Sequence, residues 1–304
     1  MSAATSRLKG VLSPVLTPFD SKLNPAPKLF LDHCRRLVDA GVGLAIFGTN
    51  SEANSLSVAE KMDLLDYLTG NGIKADRLMP GTGCCAMSDS VALTTKAMKS
   101  GCAGVLMLPP FYYKEVSVDG LFKSYAEIIE RVGDANLRIY LYHIPPIAVV
   151  PISAALIEKL LKAYPGIIAG IKDSSGDWNN TEMLLKNFQS DFFDVFCGSE
   201  VFLLQTLRGG GAGCITATAN TNAPQIMDLY KSWQTPEADA KQAAVTETRL
   251  AFAKAPMIAS MKAVIAKEIS TPEWATPRPP LMPAPAEKMA DVFAGLKTLG
   301  YKYK

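Results

Sequence analysis

Histidine is nearly absent: His33 and His143 are the only two in 304 residues. A histidine-based metal site or charge relay has little material to work with. The six cysteines, Cys34, Cys84, Cys85, Cys102, Cys197 and Cys214, include no Cys-x-x-Cys pair. That argues against a zinc site or redox dithiol and for buried, reduced thiols. No Gly-x-Gly-x-x-Gly loop occurs, so the fingerprint of a dinucleotide-binding open sheet is missing. Neither a metal nor a nucleotide cofactor is expected. No apolar run reaches the ~18 residues of a membrane span. Charge is balanced, with 31 Lys and Arg against 29 Asp and Glu, and no basic run is interleaved with aromatics. Nucleic acid and membrane are therefore not expected partners. Met1 to Lys9 is polar and lacks the apolar core of a signal peptide, so a cytoplasmic protein is expected.

Core-forming material is abundant, at 48% hydrophobic residues. Much of it falls in short apolar runs, most bounded by glycine, proline or polar residues, which predict buried strands. They are Val11–Phe19, Leu44–Gly48, Leu78–Gly83, Gly104–Pro110, Arg138–Pro145, Ile167–Asp173, Phe193–Gly198 and Ala212–Ala219. Helical spacing follows each run, over Leu29–Ala40, from Ser57 (the capping box Ser-Val-Ala-Glu60), over Ser88–Lys99, Val118–Arg131 and Ser153–Ala163, after the Lys172 strand, through Leu207, and over Pro224–Trp233. Eight strand–helix units imply a parallel sheet closed into a (β/α)8 TIM barrel over residues 1–233. Beyond Trp233 the strand pattern stops. An alanine-rich helix over 237–267, broken near Pro256, a loop with six prolines over 271–286, and a helix over 286–299 predict a small helical C-terminal domain, 234–304.

The stretch Ile167-Ile-Ala-Gly-Ile-Lys-Asp173 places a lysine at the end of a buried strand. An ordinary lysine titrates near pH 10.4, and each unit of depression corresponds to about 1.36 kcal/mol. Desolvation is the usual cause and gives a neutral, nucleophilic amine suited to Schiff-base formation. The alternatives are a lysine that reaches solvent along its stem or one paired with Asp173. In a barrel the chemistry gathers at the carboxyl ends of the strands, where Thr49, Tyr113, Tyr142 and Lys172 all fall. Alternation along a strand puts Tyr140, Tyr142 and Ile144 on one face and His143 on the other. Ile168, Gly170 and Lys172 share a face in the next strand. Tyr142 and Lys172 are then inward neighbours, Gly170 leaves room for a long side chain, and His143 packs against helices. The phenol suits proton shuttling during carbinolamine collapse. Thr49 is placed to bond Tyr142, and Thr49 with Asn50 to hold a carboxylate.

At these residues the chain resembles the dihydrodipicolinate synthase/N-acetylneuraminate lyase family, over essentially its whole length. Gly48-Thr-Asn-Ser-Glu52 resembles the family's carboxylate loop, Tyr142-His-Ile-Pro145 its Tyr-Asn-x-Pro, and Gly170-Ile-Lys-Asp-Ser-Ser-Gly176 its Schiff-base strand. Pro110-Phe-Tyr-Tyr113 resembles the segment that enters a neighbouring subunit's site. The resemblance implies a class I pyruvate-dependent aldolase on a TIM barrel, working through a covalent lysine Schiff base as a homodimer or homotetramer. It implies Lys172 as Schiff-base lysine, Tyr142 as proton shuttle, Thr49 and Asn50 as binders of the pyruvyl carboxylate, and Tyr113 as relay partner across a dimer interface. Gly198, Ser199 and Glu200, after the seventh strand, are candidates for substrate hydroxyls, and Ile215 and Ile147 complete the substrate-binding set. Two departures stand out. Asn50 and Ser51 replace the usual Thr-Gly. Ile147 stands where the synthases carry an arginine for the aldehyde's carboxylate, and an apolar side chain makes no such bidentate contact. Authentic dihydrodipicolinate synthase activity is therefore not expected. The same lysine chemistry would serve a 2-keto-3-deoxy sugar acid dehydratase, and the pocket without turnover would serve a keto-acid-binding regulator.

Overall fold

Proline decides where the first ladder stops. The computed structural model describes residues 7–303, so most of the polar stretch from Met1 to Lys9 lies outside the described residues. Strand β1 (Gly10–Ser13) ends at Pro14, four residues long rather than the nine expected, because proline has no amide to donate to a ladder. Helix α1 (Pro27–Asp39) begins with proline in its first turn, where the missing amide costs nothing. Strand β2 (Gly43–Leu44) follows, shorter than expected, because Phe47 turns into the left-handed region at φ 61°. Helix α2 (Val58–Gly70) opens on the expected capping box, with Ser57 and Glu60 satisfying each other's backbone amides.

The remaining elements alternate as expected: α3 (Met87–Lys99), β3 (Val105–Met107), α4 (Val118–Val132), β4 (Ile139–His143), a short α5 (Pro145–Ala148) and α6 (Ala154–Ala163). Then come β5 (Ile168–Asp173), α7 (Trp178–Phe188), β6 (Asp194–Cys197), α8 (Leu203–Arg208), β7 (Gly213–Ile215) and α9 (Ala219–Lys231). All pairings are parallel, in the order β2-β1-β7-β6-β5-β4-β3. The third expected strand is not a regular one. Residues 78–82 nevertheless join the two sheet edges. Met79 and Gly81 donate amides to the carbonyls of Leu44 and Ile46 at 2.8 and 2.7 Å, and Leu106 donates to the Pro80 carbonyl at 2.9 Å. Pro80 leaves this segment without one amide, and its pairing reduces to isolated bridges at Leu78 and Gly81. The barrel is closed by eight backbone segments.

Side chains alternate across the wall. Leu12, Ala45, Met79, Leu106, Tyr140, Tyr142, Phe196 and Ile215 fill the interior. Val11, Leu44, Leu141, Ile171, Val195 and Cys214 pack outward against the helices. At the amino end Asp194 is fully buried and its carboxylate meets Arg7 at 3.2 Å. Gly170 serves this end of the barrel. A Cβ there would lie 2.3 Å from the Asp194 carbonyl and 2.8 Å from the Tyr140 ring. The missing side chain makes room for the Tyr140 ring.

Helix α9 starts at Ala219, earlier than Pro224, and passes that proline with an irregular turn at Asn222 (φ −125°, ψ 29°). Helices α10 (Ala238–Phe252) and α11 (Met257–Glu268) are separated at Pro256 as expected, and α12 (Ala286–Thr298) follows the proline-rich segment. Phe252, Met261, Trp274 and Val292 form a further apolar cluster with Leu16 and Ala217 from the carboxyl rim of the barrel. The C-terminal helices therefore pack on the end where the candidate chemistry lies.

His33 is part of this junction. Its Nε2–H donates to Asn220 Oδ1 at 3.0 Å, and that oxygen also accepts the Leu16 amide at 2.9 Å. The Trp274 ring meets the imidazole edge-on at 4.9 Å between centroids. Burial, and then the nearby Arg36 guanidinium, push the imidazole down from 6.5 to about 3, with the Asn220 bond opposing. The folded protein thus holds His33 neutral while the unfolded chain protonates it below pH 6.5, so stability present above that pH is lost on the way to pH 3. In urea titrations His33→Gln should flatten the fall in unfolding free energy between pH 6 and pH 4 by about 1.4 kcal/mol per pH unit. Equal slopes in the two proteins would refute the assignment.

Candidate active site

The register of two neighbouring strands makes the site. Tyr142 of β4 stands opposite Lys172 of β5, which in turn stands opposite Phe196 of β6. Lys172 Nζ lies 4.2 Å from the centroid of the Tyr142 ring, and both residues are only 2% exposed. The Tyr142 hydroxyl and Thr49 Oγ1 are 3.1 Å apart. Asp173 is not the lysine's partner. It points to the other face, where its carboxylate accepts from the Ser175 amide at 2.9 Å, the Ser175 hydroxyl at 3.1 Å and the Thr181 hydroxyl at 2.6 Å. Nor does Lys172 reach solvent along its stem. A buried amine above an aromatic face is placed to act as a nucleophile. His143 packs outward as expected, its Nδ1 accepting the Ile152 amide at 3.0 Å.

A cavity of about 690 Å³ opens above the lysine. Of the site residues proposed from sequence, Thr49, Asn50, Tyr142, Ile147, Lys172, Gly198 and Ser199 line it. Gly198 is required there, since a Cβ would fall 2.0 Å from Ser174 Oγ. Three candidates lie elsewhere. Ile215 is buried inside the barrel. Tyr113 stands away from the cavity of its own chain, 74% exposed, with Tyr112 edge-on beside it at 5.4 Å. Glu200 is fully buried and does not line the cavity. Its carboxylate accepts from the hydroxyls of Thr216 and Thr218 and from Arg249 Nη1, the last at 2.9 Å. Ser199 caps the following turn by accepting the Val201 amide at 3.3 Å. That turn swings Glu200 inward. Its partner Arg249 comes from α10, and no local pattern announces the pairing.

The loop carrying Thr49 and Asn50 is a single 3-10 turn, Thr49–Ser51, closed by the Gly48 amide donating to Ser51 Oγ at 3.2 Å. It ends at Glu52, which adopts a left-handed conformation at φ 56°. The Glu52 carboxylate meets Lys262 Nζ of α11 at 2.6 Å with both side chains fully buried, and its other oxygen accepts the Arg278 amide at 2.7 Å. Burial lowers the Lys262 amine while Glu52 opposes the shift. Sequence reading missed Glu52, Lys262 and Arg249 as parts of the site. The one available signal was a lysine in the middle of the apolar run Met257–Ala266, a position that calls for a buried partner. C-terminal residues also supply the far wall of the cavity, with Met257, Ile258, Leu281 and Met282 facing Ile144, Ile147 and Phe202. Among the described residues no cluster of three His, Cys, Asp or Glu side chains is placed to hold a metal ion, and no helix is long and apolar enough to cross a membrane.

A parallel barrel with a buried lysine and tyrosine at its carboxyl mouth defines a class: lyases that work through a lysine Schiff base. Comparison with known proteins gives the family. Residues 7–299 match the dihydrodipicolinate synthetase family model. An uncharacterized DapA-like lyase of Chloroflexus aurantiacus is 31% identical over 96% of this chain and 97% of its own. Dihydrodipicolinate synthase of Agrobacterium tumefaciens superposes with a TM-score of 0.88 at 26% identity, covering 96% of this chain and 99% of that one. YagE of Escherichia coli K12, a prophage protein of the same family solved in complex with pyruvate, gives 0.89 at 22% identity, over 98% and 100%. The chain belongs to the dihydrodipicolinate synthetase family. It is a class I, pyruvate-dependent lyase of the aldolase type.

Removing one member of a buried ion pair leaves the other uncompensated and typically costs about 3–5 kcal/mol. Lys262→Met should lower the unfolding free energy by that order and raise the KM for pyruvate, through a loosened Thr49–Asn50 loop. Glu52→Gln in the same background should recover part of the stability. Denaturant titration and steady-state kinetics check both, and an unchanged KM would separate the pair from the loop's function.

Proposed function

We propose that Lys172 is the Schiff-base lysine and that pyruvate is the substrate it activates. The observation that carries this reading is the buried Lys172 amine against the Tyr142 ring, with the Tyr142 hydroxyl bonded to Thr49. In the proposed sequence the Lys172 amine adds to C2 of pyruvate. Tyr142 delivers a proton to the departing carbinolamine oxygen, water leaves, and an iminium remains. Loss of a C3 proton gives an enamine, whose C3 attacks the carbonyl carbon of an aldehyde. The new alkoxide takes up a proton, and water hydrolyses the iminium to free lysine and a 4-hydroxy-2-keto acid. Cleavage is the same path reversed. Thr49 relays the proton of Tyr142, and the Thr49–Asn50 turn holds the pyruvyl carboxylate through amide and side-chain donors.

In this reading a barrel unit ending near residue 233 supplies the chemistry. A helical unit over 234–304 supplies the cavity's far wall. Tyr113 completes the proton relay only in an oligomer, entering the site of a second copy. Its exposed ring pair with Tyr112 supports that reading, since two large aromatics in water are costly to leave uncovered.

Borohydride reduction in the presence of pyruvate should trap a pyruvyl adduct, and peptide mapping should place it on Lys172. Lys172→Ala should trap nothing. Tyr142→Phe should still trap, while kcat falls about 10²–10⁴-fold, the usual worth of a positioned proton shuttle. A folded wild-type protein that takes up no pyruvate under borohydride would sink the assignment.

A further inference from the structure

We infer that the aldehyde partner is neutral and apolar, an alkyl or aryl aldehyde without a second carboxylate and without a run of hydroxyls. The inference rests on the pyruvate chemistry proposed above and concerns the part of the cavity that chemistry leaves free.

Among the described residues two cationic side chains line the cavity, Lys172 and Arg249. Lys172 is consumed by the keto acid. Arg249 is already matched. Glu200, fully buried behind it, holds Arg249 Nη1 at 2.9 Å and accepts the hydroxyls of Thr216 and Thr218. Glu200 and Arg249 form a salt bridge of opposite formal charges, so the pair presents no net charge to the cavity. An incoming second carboxylate would share one guanidinium with a carboxylate that cannot move away, leaving net negative charge in a partly dry site. At the barrel lip Ile147 offers nothing to an anion. Hydroxyl recognition is limited. Asn50 lies in the loop assigned to the pyruvyl end, the Asp173 carboxylate is held by Ser175 and Thr181, and Ser174 and Ser199 are the two further hydroxyls on the lining, Ser199 Oγ accepting the Val201 amide at 3.3 Å. Much of the rest is apolar, with Phe202, Met257, Ile258, Leu281 and Met282 forming a wall that rewards apolar contact at about 25 cal/mol per Å².

The bond-forming step is balanced by pyruvate alone. The enamine C3 bonds to the aldehyde carbon, the carbonyl oxygen takes up one proton, and hydrolysis releases R–CH(OH)–CH2–CO–COO⁻. Arg249 has one role here, as a specificity-determining residue whose charge is cancelled by Glu200.

The test uses the full-length protein with pyruvate and three aldehydes: benzaldehyde, succinic semialdehyde and D-glyceraldehyde. The kcat/KM for benzaldehyde should exceed the other two by about tenfold or more, within reach of one pocket's discrimination. Glu200→Gln keeps the shape and frees the Arg249 charge, and should shift the succinic semialdehyde to benzaldehyde ratio at least about tenfold toward the acid, chiefly through KM. Ile147→Arg, at a position 60% exposed, tests the same selectivity without touching the buried network. Preference for succinic semialdehyde or D-glyceraldehyde in the wild type would overturn the inference, as would variants that fold, trap pyruvate and keep the wild-type ratio. Borohydride trapping on each preparation separates the cases: no adduct removes the pyruvate reading itself, whereas an adduct with the wrong aldehyde order removes only the apolar partner.

Discussion

The buried pair between Glu52 and Lys262 joins the two halves of the candidate site. Its members are 210 residues apart, and neither side chain touches solvent. On one side the pair ends the turn that carries Thr49 and Asn50. On the other it fixes α11, whose first turn supplies Met257 and Ile258 to the cavity. The Arg278 amide on the second Glu52 oxygen ties in the start of the proline-rich segment as well. Two charges taken out of water are not a cheap way to hold a fold together. Their use here is positional: one contact sets the Thr49–Asn50 turn, the C-terminal helix and the cavity's far wall relative to each other.

Within the barrel, most of the architecture could be read from local pattern. Alternating apolar runs and helical spacing depend on residues two to four apart, and the signals at Ser57–Glu60 and Pro256 act over a single turn. The errors share one cause. Ladder length depends on what the neighbouring strand offers, so the proline at 14 and the turn at Phe47 shortened runs whose composition suggested longer strands. Residues 78–82 kept their place in the wall although Pro80 prevents a regular ladder. The space at Gly170 was legible, but not who needs it: the demand comes from Tyr140 and from the Asp194 backbone of the next strand.

The candidate site divides in the same way. Tyr142 and Lys172 were legible as neighbours because parallel register and period-2 alternation fix both side chains at once. Thr49 and Asn50 were legible as a turn after a strand. Glu200 was misread because its environment is tertiary. A polar residue after a strand end looks the same in sequence whether it faces substrate or an arginine from another helix. Arg249 was invisible for that reason, and Lys262 signalled only that a buried partner was needed, since each is one charge on a helix until its partner is known.

The cavity has two builders. The strands of the barrel carry the amine and the phenol, locked by ladder hydrogen bonds and close packing, and the turn after β2 carries the Thr49 hydroxyl. The opposite wall comes from the start of α11 and from residues 280–285, a segment rich in proline that is irregular, partly exposed and outside the ladder. Changes in that segment alter the shape presented to a second substrate without disturbing the geometry of bond making. A chain organised this way lets reaction and selectivity drift at different rates, so two relatives with the same lysine and tyrosine in place are free to serve different metabolites.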